Sequence, residues 1–114
     1  MLNLIYITMI KASSAVMPIS TTTITGRWTE SYCSDEYLEF SSDGKFKTYV
    51  TKSGELTLID TQIWWIDEGR VIIGLTKTLP TIAIAADLVT ETNLIGAYAT
   101  FSGDVSLLRL KKCP

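Results

Sequence analysis

The stretch EYLEFSSDGKFKTYVT, residues 36–51, decides the fold class of this chain. Two runs of aromatic and β-branched residues flank Asp43-Gly44, and Asp-Gly is a strong hairpin signal because a type I′ turn needs positive φ at both central positions. Alternation within the first run puts Leu38 and Phe40 on one face. These residues therefore predict an antiparallel hairpin with an apolar face.

Similar runs, separated by turn residues, extend outward from this hairpin along most of the chain. The predicted strands are residues 25–31, 36–41, 45–51, 55–60, 62–67, 70–75, 81–89, 92–100 and 105–111. The segments 55–60 and 62–67 are either two strands or one strand bent near Thr61. No stretch has a sustained helical period. The sequence therefore predicts an all-β, antiparallel up-and-down meander of eight or nine strands that closes into a small barrel.

The composition indicates one folded domain and excludes several classes of function. The chain has 114 residues, 46% of them hydrophobic, and a mean hydropathy of +0.24. The sequence has ten basic and twelve acidic residues and a formal net charge of −2, so it predicts no nucleic-acid partner. Because histidine is absent from the sequence, Ser-His and Cys-His catalysis and His-ligated zinc are excluded.

The carboxylates form no catalytic or metal-binding pattern in the sequence. Asp35-Glu36, Asp43 and Asp67-Glu68 lie in or beside predicted turns, where such residues are usually solvated turn formers. The sequence contains no Cys-x-x-Cys pair, no Gly-rich phosphate loop and no oxygen-rich calcium loop. We expect no enzymatic activity, no metal and no cofactor.

Residues 1–20 differ in composition from the rest of the chain. An apolar run, Leu2–Ile10, is followed by small residues, the layout of a secretory signal, although no basic residue precedes the run. The run is too short to span a hydrocarbon core of ~30 Å, so no transmembrane helix is expected. The alternatives are a cleaved leader, a strand or partner-binding arm, or a start-site artefact. We divide the chain into this leader or arm and a barrel domain, residues 21–114, and expect a secreted or periplasmic protein.

Gly26-Arg27-Trp28 opens the first predicted strand as a G-x-W triplet, and a leucine-phenylalanine strand then leads into Asp43-Gly44. This arrangement resembles the compact bacterial lipocalin-like domains of the calycin superfamily. The resemblance implies that Trp28 closes one end of the barrel and that an arginine from a late strand packs across its indole; Arg109 matches that position. The alternative is a core tryptophan and a surface arginine.

The size of the inward-facing residues decides whether such a barrel is open or filled. Residues 81–101 offer alternating large and small sets, either Ile82, Ile84, Ala86 and Leu88 or Ala83, Ala85 and Val89, and either Leu94, Gly96 and Tyr98 or Ile95, Ala97 and Ala99. We expect a mostly filled interior with a shallow apolar mouth. The candidate ligand-binding residues are Phe46, Trp65, Ala83, Ala85 and Tyr98.

Several predicted strands are apolar on both faces, notably 71–73 and 82–86. Trp64 and Trp65 are neighbours on a predicted strand, so one indole points inward and the other outward, as an interface anchor or under intramolecular packing. Some outer faces must be covered, by the N-terminal segment, by a second copy or by another protein.

Cys33 and Cys113 give two conflicting expectations. In an exported protein they are expected to pair, which would stabilise the fold by ~4 kcal/mol. If Trp28 faces Arg109 on paired strands, however, the cysteines lie about 30 Å apart at ~3.3 Å per residue, beyond the ~7 Å Cα limit of a disulfide. Both expectations can hold only if the first strand ends at Tyr32 and the chain doubles back, or if the C-terminal tail folds over.

Three functional hypotheses follow. The leading one is a non-catalytic small binding protein that takes an apolar small molecule at the barrel mouth. The alternative is a protein-interaction module, acting as a homo-oligomer or with a partner, that uses the apolar strands, the tryptophan pair and the N-terminal segment. The third is a protease inhibitor, since a G-x-W barrel with an N-terminal arm resembles small bacterial metalloprotease inhibitors; residues 1–25 would carry that contact.

Overall fold

A computed structural model describes residues 16–114, which form one short helix and eight β-strands. The elements are α1 (Thr21–Ile24), β1 (Gly26–Thr29), β2 (Glu36–Phe40), β3 (Lys45–Lys52), β4 (Glu55–Asp67), β5 (Arg70–Thr76), β6 (Leu79–Val89), β7 (Asn93–Thr100) and β8 (Val105–Lys112). Each strand pairs antiparallel with the next, and β8 pairs with β1 to close the barrel. The predicted all-β meander is confirmed. The predicted leader falls mostly on residues 1–15, which lie outside the described residues.

The β2–β3 hairpin forms where Asp43-Gly44 predicts it, with Phe40 opposite Phe46. Gly44 has a φ of 86°, and the Asp43 carboxylate accepts a hydrogen bond of 3.1 Å from the Lys45 N–H. Asp43 is not among the described residues with positive φ, so the turn is not the type I′ turn that the dipeptide suggests. The hairpin prediction holds because glycine is present at the position that needs positive φ.

Residues 55–67 form a single strand of 13 residues, which sets the number of strands at eight. A register shift opposite Thr48 and Tyr49 interrupts its pairing with β3. A bulge of this kind bends and twists a strand without ending it. The proposed bend near Thr61 is therefore an irregularity within β4 and not a break between two strands.

The core fills the end of the barrel where β1 begins and α1 lies. Its fully and largely buried residues are Ile24, Trp28, Phe40, Phe46, Trp64, Val71, Ile73, Ile84, Val89, Leu94, Leu108 and Leu110. The Phe40 ring meets the Trp64 ring edge-on, with centroids 5.3 Å apart, a favoured aromatic geometry. Ile24 is 0% exposed, and α1, capped by Ser20, holds it against the core.

Both buried indoles have hydrogen-bond partners. Trp28 Nε1 donates to the Ile24 carbonyl and Trp64 Nε1 to the Ser41 carbonyl, each at 2.9 Å. Burial of an indole N–H without an acceptor would be costly. The two tryptophans therefore fix α1 and the β2–β3 turn against the core as well as filling it.

The barrel closes over a short distance. The four-residue β1 pairs with only Lys111 and Lys112 of β8. The Cys113 N–H adds a hydrogen bond of 2.7 Å to the Arg27 carbonyl. Residues 105–110 of β8 pair only with β7 among the described residues.

Candidate functional site

The larger of the two alternating sets points inward on β7 and, as far as Ala86, on β6. Ile84 and Leu94 are buried, and Ile82, Ala86 and Tyr98 pack against the core from partly buried positions. A register shift between Ala86 and Leu88 displaces the alternation by one residue, so that Val89 of the smaller set faces inward and Leu88 of the larger set lies outward opposite Ile95. These large side chains leave no lumen lined by alanines.

The structure does not bring the predicted ligand-binding residues together. Phe46 is buried, and Tyr98 packs against the same core. Trp65, Ala83 and Ala85 lie on the outer face, because each alternates with an inward-facing neighbour. The proposed ligand site is therefore divided between the two faces of the sheet.

Trp28 has a cation above its ring, and the cation belongs to Lys112. Lys112 Nζ lies 4.5 Å from the ring centroid and donates a hydrogen bond of 2.9 Å to the Thr25 carbonyl. Gly26 makes room for this side chain: a Cβ there would come within 2.7 Å of Lys112 Cε and Nζ, and its φ is 134°. Burial lowers the pKa of Lys112 from the usual 10.5.

The expectation that Arg109 packs across Trp28 is corrected by the register of β8. Trp28 pairs with Lys112, three residues beyond Arg109. Arg109 lies opposite Ile95 of β7 with its side chain exposed on the outer face. The predicted barrel closure through Gly26 and Trp28 thus has a lysine in place of the arginine.

The same register resolves the conflict over the cysteines. Cys33 and Cys113 form a disulfide with their Cα atoms 5.8 Å apart. β1 ends at Thr29, and the next residues turn back before β2 begins at Glu36. The objection assumed that the chain stays extended from Trp28 to Cys33 and that Trp28 faces Arg109, and neither assumption holds.

Two clefts flank the point where β1 ends. The first encloses about 210 Å³ and is lined by Trp28, Thr29, Glu30, Glu36, Tyr37, Leu38, Thr48, Tyr49 and Leu110. The second encloses about 270 Å³ and is lined by Glu30, Asn93, Ile95, Arg109, Leu110 and Lys111. Carboxylates and hydroxyls share the first cleft with the apolar and aromatic side chains that form most of its lining.

An ion pair lies beside the first cleft. Arg27 Nε lies 3.3 Å from Glu39 Oε2, and the guanidinium carbon lies 5.2 Å from the Tyr37 ring centroid. The hydrogen bond to Glu39 raises the pKa of Arg27 above its usual range. Since this side chain is exposed, the pair contributes little to stability.

Apolar side chains cover much of the outer surface from β4 to β8. Cross-strand partners lie on one face of a sheet, and the register joins Trp65, Ile72, Ala83, Ala99 and Val105 in one row and Ala85, Ala97 and Leu107 in the next. We call these eight residues and Ile95 the outer apolar face. Leu107 is 84% exposed and Val105 70% exposed.

The described part of the chain contains no group of three or more His, Cys, Asp or Glu residues arranged to hold a metal ion. Within residues 16–114 no helix has the length and apolar character needed to cross a membrane.

Comparison of the chain with protein-family models, with curated proteins and with solved structures found no match. The relationship to lipocalin-like barrels therefore stays a prediction.

The sequence analysis did not identify two features of the structure, the Lys112 contact with Trp28 and the exposed apolar residues of β8. The position of Lys112 opposite Trp28 depends on the pairing register, which the sequence does not show. Leu107 and Val105 carried a usable signal: residues 105–110 are apolar at most positions on both faces of the strand, which indicates a covered outer face.

Proposed function

We propose that this protein is a protein-interaction module whose binding surface is the outer apolar face. The observation that carries the proposal is the continuous row from Trp65 on β4 to Val105 on β8, which crosses five strands without a charged residue. Soluble proteins that work alone rarely leave so continuous an apolar surface in water. A partner that covered this row would remove Leu107 and Val105 from solvent.

Packing within the barrel supports the same function. Large inward residues already fill the closed end, so the alanines of β6 and β7 are not needed to shape a lumen. On the outer face these alanines lie between Leu107 and Val105 on β8 and Trp65 and Ile72 on β4 and β5. A row of small side chains between larger ones leaves room for the side chains of a second protein.

The disulfide supports an oxidising location for this module. A bridge between Cys33 and Cys113 closes nearly the whole described domain, and such bonds persist mainly outside the reducing cytosol. We propose that the protein works in the periplasm or outside the cell.

The other two hypotheses stay predictions. An apolar small molecule would have to use a site other than the predicted set, which is split between two faces. A protease inhibitor would act through residues 1–25, most of which lie outside the described residues.

Photo-cross-linking tests the proposed surface. The photoreactive amino acid p-benzoylphenylalanine replaces Leu107 on the face or, as a matched control, Leu56, which is 44% exposed near the start of β4. Both full-length variants are irradiated in the cells that produce the protein. We expect a discrete adduct from position 107 and none from position 56. No adduct at position 107, or the same adducts from both positions, would contradict the proposal.

A further inference from the structure

The outer apolar face carries large and small side chains in matching places on either side of β7. Ala97 pairs with Ala85 of β6 on one side and with Leu107 of β8 on the other. Ala99 likewise pairs with Ala83 of β6 and Val105 of β8. In both rows the alanine of β6 and the larger residue of β8 therefore lie at about equal distances from β7, on opposite sides of it.

Charge follows the same arrangement. Arg109 pairs with Ile95, and Ile95 pairs with Leu88, beside the bulge residue Asp87. Asp87 is the only charged residue of β6, and β7 contains no charged residue. The outward-facing positions of β8 carry Arg109 and, at the end of the strand, Lys111. A negative charge on β6 thus mirrors a positive charge on β8 across the same central strand.

From this arrangement, and resting on the proposed function of the face, we infer that the partner is a second copy of this chain. A two-fold axis parallel to β7, lying between two facing sheets, places β8 of each copy over β6 of the other. Leu107 of one copy then lies over Ala85 of its mate, and Val105 lies over Ala83. In these two rows the large side chain of one copy meets a small one of the other, and symmetry repeats both contacts.

The same axis brings Arg109 of each copy to the bulge that carries Asp87 of the other. Neither residue takes part in an ion pair within residues 16–114. Glu30 lines the same 270 Å³ cleft as Arg109 and is the one carboxylate in the lining of that cleft. Two symmetry-related ion pairs at the edge of an apolar contact would fix the orientation of the copies more than they would add affinity.

Sedimentation of the purified full-length protein at micromolar concentrations tests the inference. We expect a reversible dimer. Leu107→Asp should leave only monomer, since it buries a carboxylate over Ala85, while Leu56→Asp should leave the dimer intact. Because Leu107 is exposed in the single chain, circular dichroism should show that both variants are folded.

Charge reversal identifies the specific geometry. Arg109→Asp should raise the dimer Kd at least tenfold, because it opposes two pairs of like charges, and Asp87→Arg should do the same. The double variant Asp87→Arg/Arg109→Asp should return to within about threefold of the original Kd. Lys77→Asp, which changes the net charge equally on the exposed β5–β6 turn, should have little effect.

The results separate this inference from the proposed function. A monomer at all concentrations, or a dimer that Leu107→Asp leaves intact, overturns the second-copy inference. Failure of the double reversal to restore the dimer overturns the two-fold arrangement. If cross-linking at position 107 yields an adduct whose mass is not that of two chains, the face still binds a protein but the partner is not this chain. Absence of any adduct there contradicts both proposals.

Discussion

Lys112 and Trp28 hold the two ends of the barrel sheet together: the ammonium lies 4.5 Å from the ring centroid and donates to the Thr25 carbonyl at 2.9 Å. The backbone pairing between β1 and β8 covers only two residue pairs. This side chain and the Cys33–Cys113 disulfide therefore reinforce the shortest strand contact in the barrel.

Lys112→Met should destabilise the fold by about 1–2 kcal/mol, since it keeps the aliphatic stem but removes a cation–π contact and a hydrogen bond. Arg109→Met, at the position expected from the family resemblance, should change the free energy of unfolding by less than about 0.5 kcal/mol at protein concentrations where the chain is monomeric. Urea unfolding followed by tryptophan fluorescence measures both. Equal effects would mean that Lys112 has no special role in closure.

Gly26→Ala should cost about 1–3 kcal/mol, because it combines an unfavourable φ with a clash against Lys112. Gly103→Ala is the matched control: its φ of 111° is also positive, but nothing lies within 4 Å of an added Cβ. If the loss at Gly26 is larger than the loss at Gly103 and is partly recovered when Gly26→Ala is combined with Lys112→Ala, which removes the clashing atoms, the steric contribution is shown. Identical losses at both glycines would leave backbone strain as the whole effect.

Replacing both cysteines by serine should lower the free energy of unfolding by about 2–5 kcal/mol, since the bridge closes a loop with a sequence separation of 80 residues. Thiol titration of the denatured protein without reductant should find no free thiol. Two reactive thiols would contradict the disulfide, and equal stability with and without reductant would show that it contributes little.

The adjacent tryptophans should respond differently to the same substitution. Trp64→Phe removes a buried indole and its hydrogen bond to the Ser41 carbonyl, so we expect a loss of about 1–3 kcal/mol. Trp65→Phe, on the outer face, should cost less than about 1 kcal/mol in the monomer. Acrylamide should quench Trp65 more strongly than Trp64. The reverse order would place the strand in the opposite register.

Lys112 should titrate below 10.5, because burial disfavours its charged form. Between the lowered pKa of Lys112 in the folded protein and 10.5, the unfolded chain binds more protons than the folded one. The contribution of this group to the free energy of unfolding therefore rises as the pH rises towards 10.5. Nuclear magnetic resonance of the lysine 13Cε signals measures the midpoint, and Lys112→Met identifies the signal. A midpoint at or above 10.5 would show that the indole and the Thr25 carbonyl outweigh desolvation.

Local chemistry made most of the fold predictable. Asp43-Gly44 located the central hairpin because glycine supplies the positive φ that the turn needs. Alternation predicted that Trp64 and Trp65 face opposite sides, although it did not say which one is buried. For residues 55–67 the sequence left open two strands or one strand bent near Thr61, and the structure has one strand with a register shift opposite Thr48 and Tyr49.

The candidate site was less predictable because it depends on pairing between distant strands. Arg109 and Lys112 are both cations near the end of the chain, and only the register shows which one meets Trp28. The outer apolar face likewise joins residues from five strands, and a shift of one residue would have turned its side chains inward.

The sequence alone determined the fold class, the turn positions and the excess of apolar residues, because strand alternation and turn geometry act over a few neighbouring residues. The tertiary structure decided which alternating set fills the barrel, which cation closes it, and that Cys33 reaches Cys113. Each of these depends on register and bulges, which follow from packing the whole ring of strands around Trp28, Phe40 and Trp64.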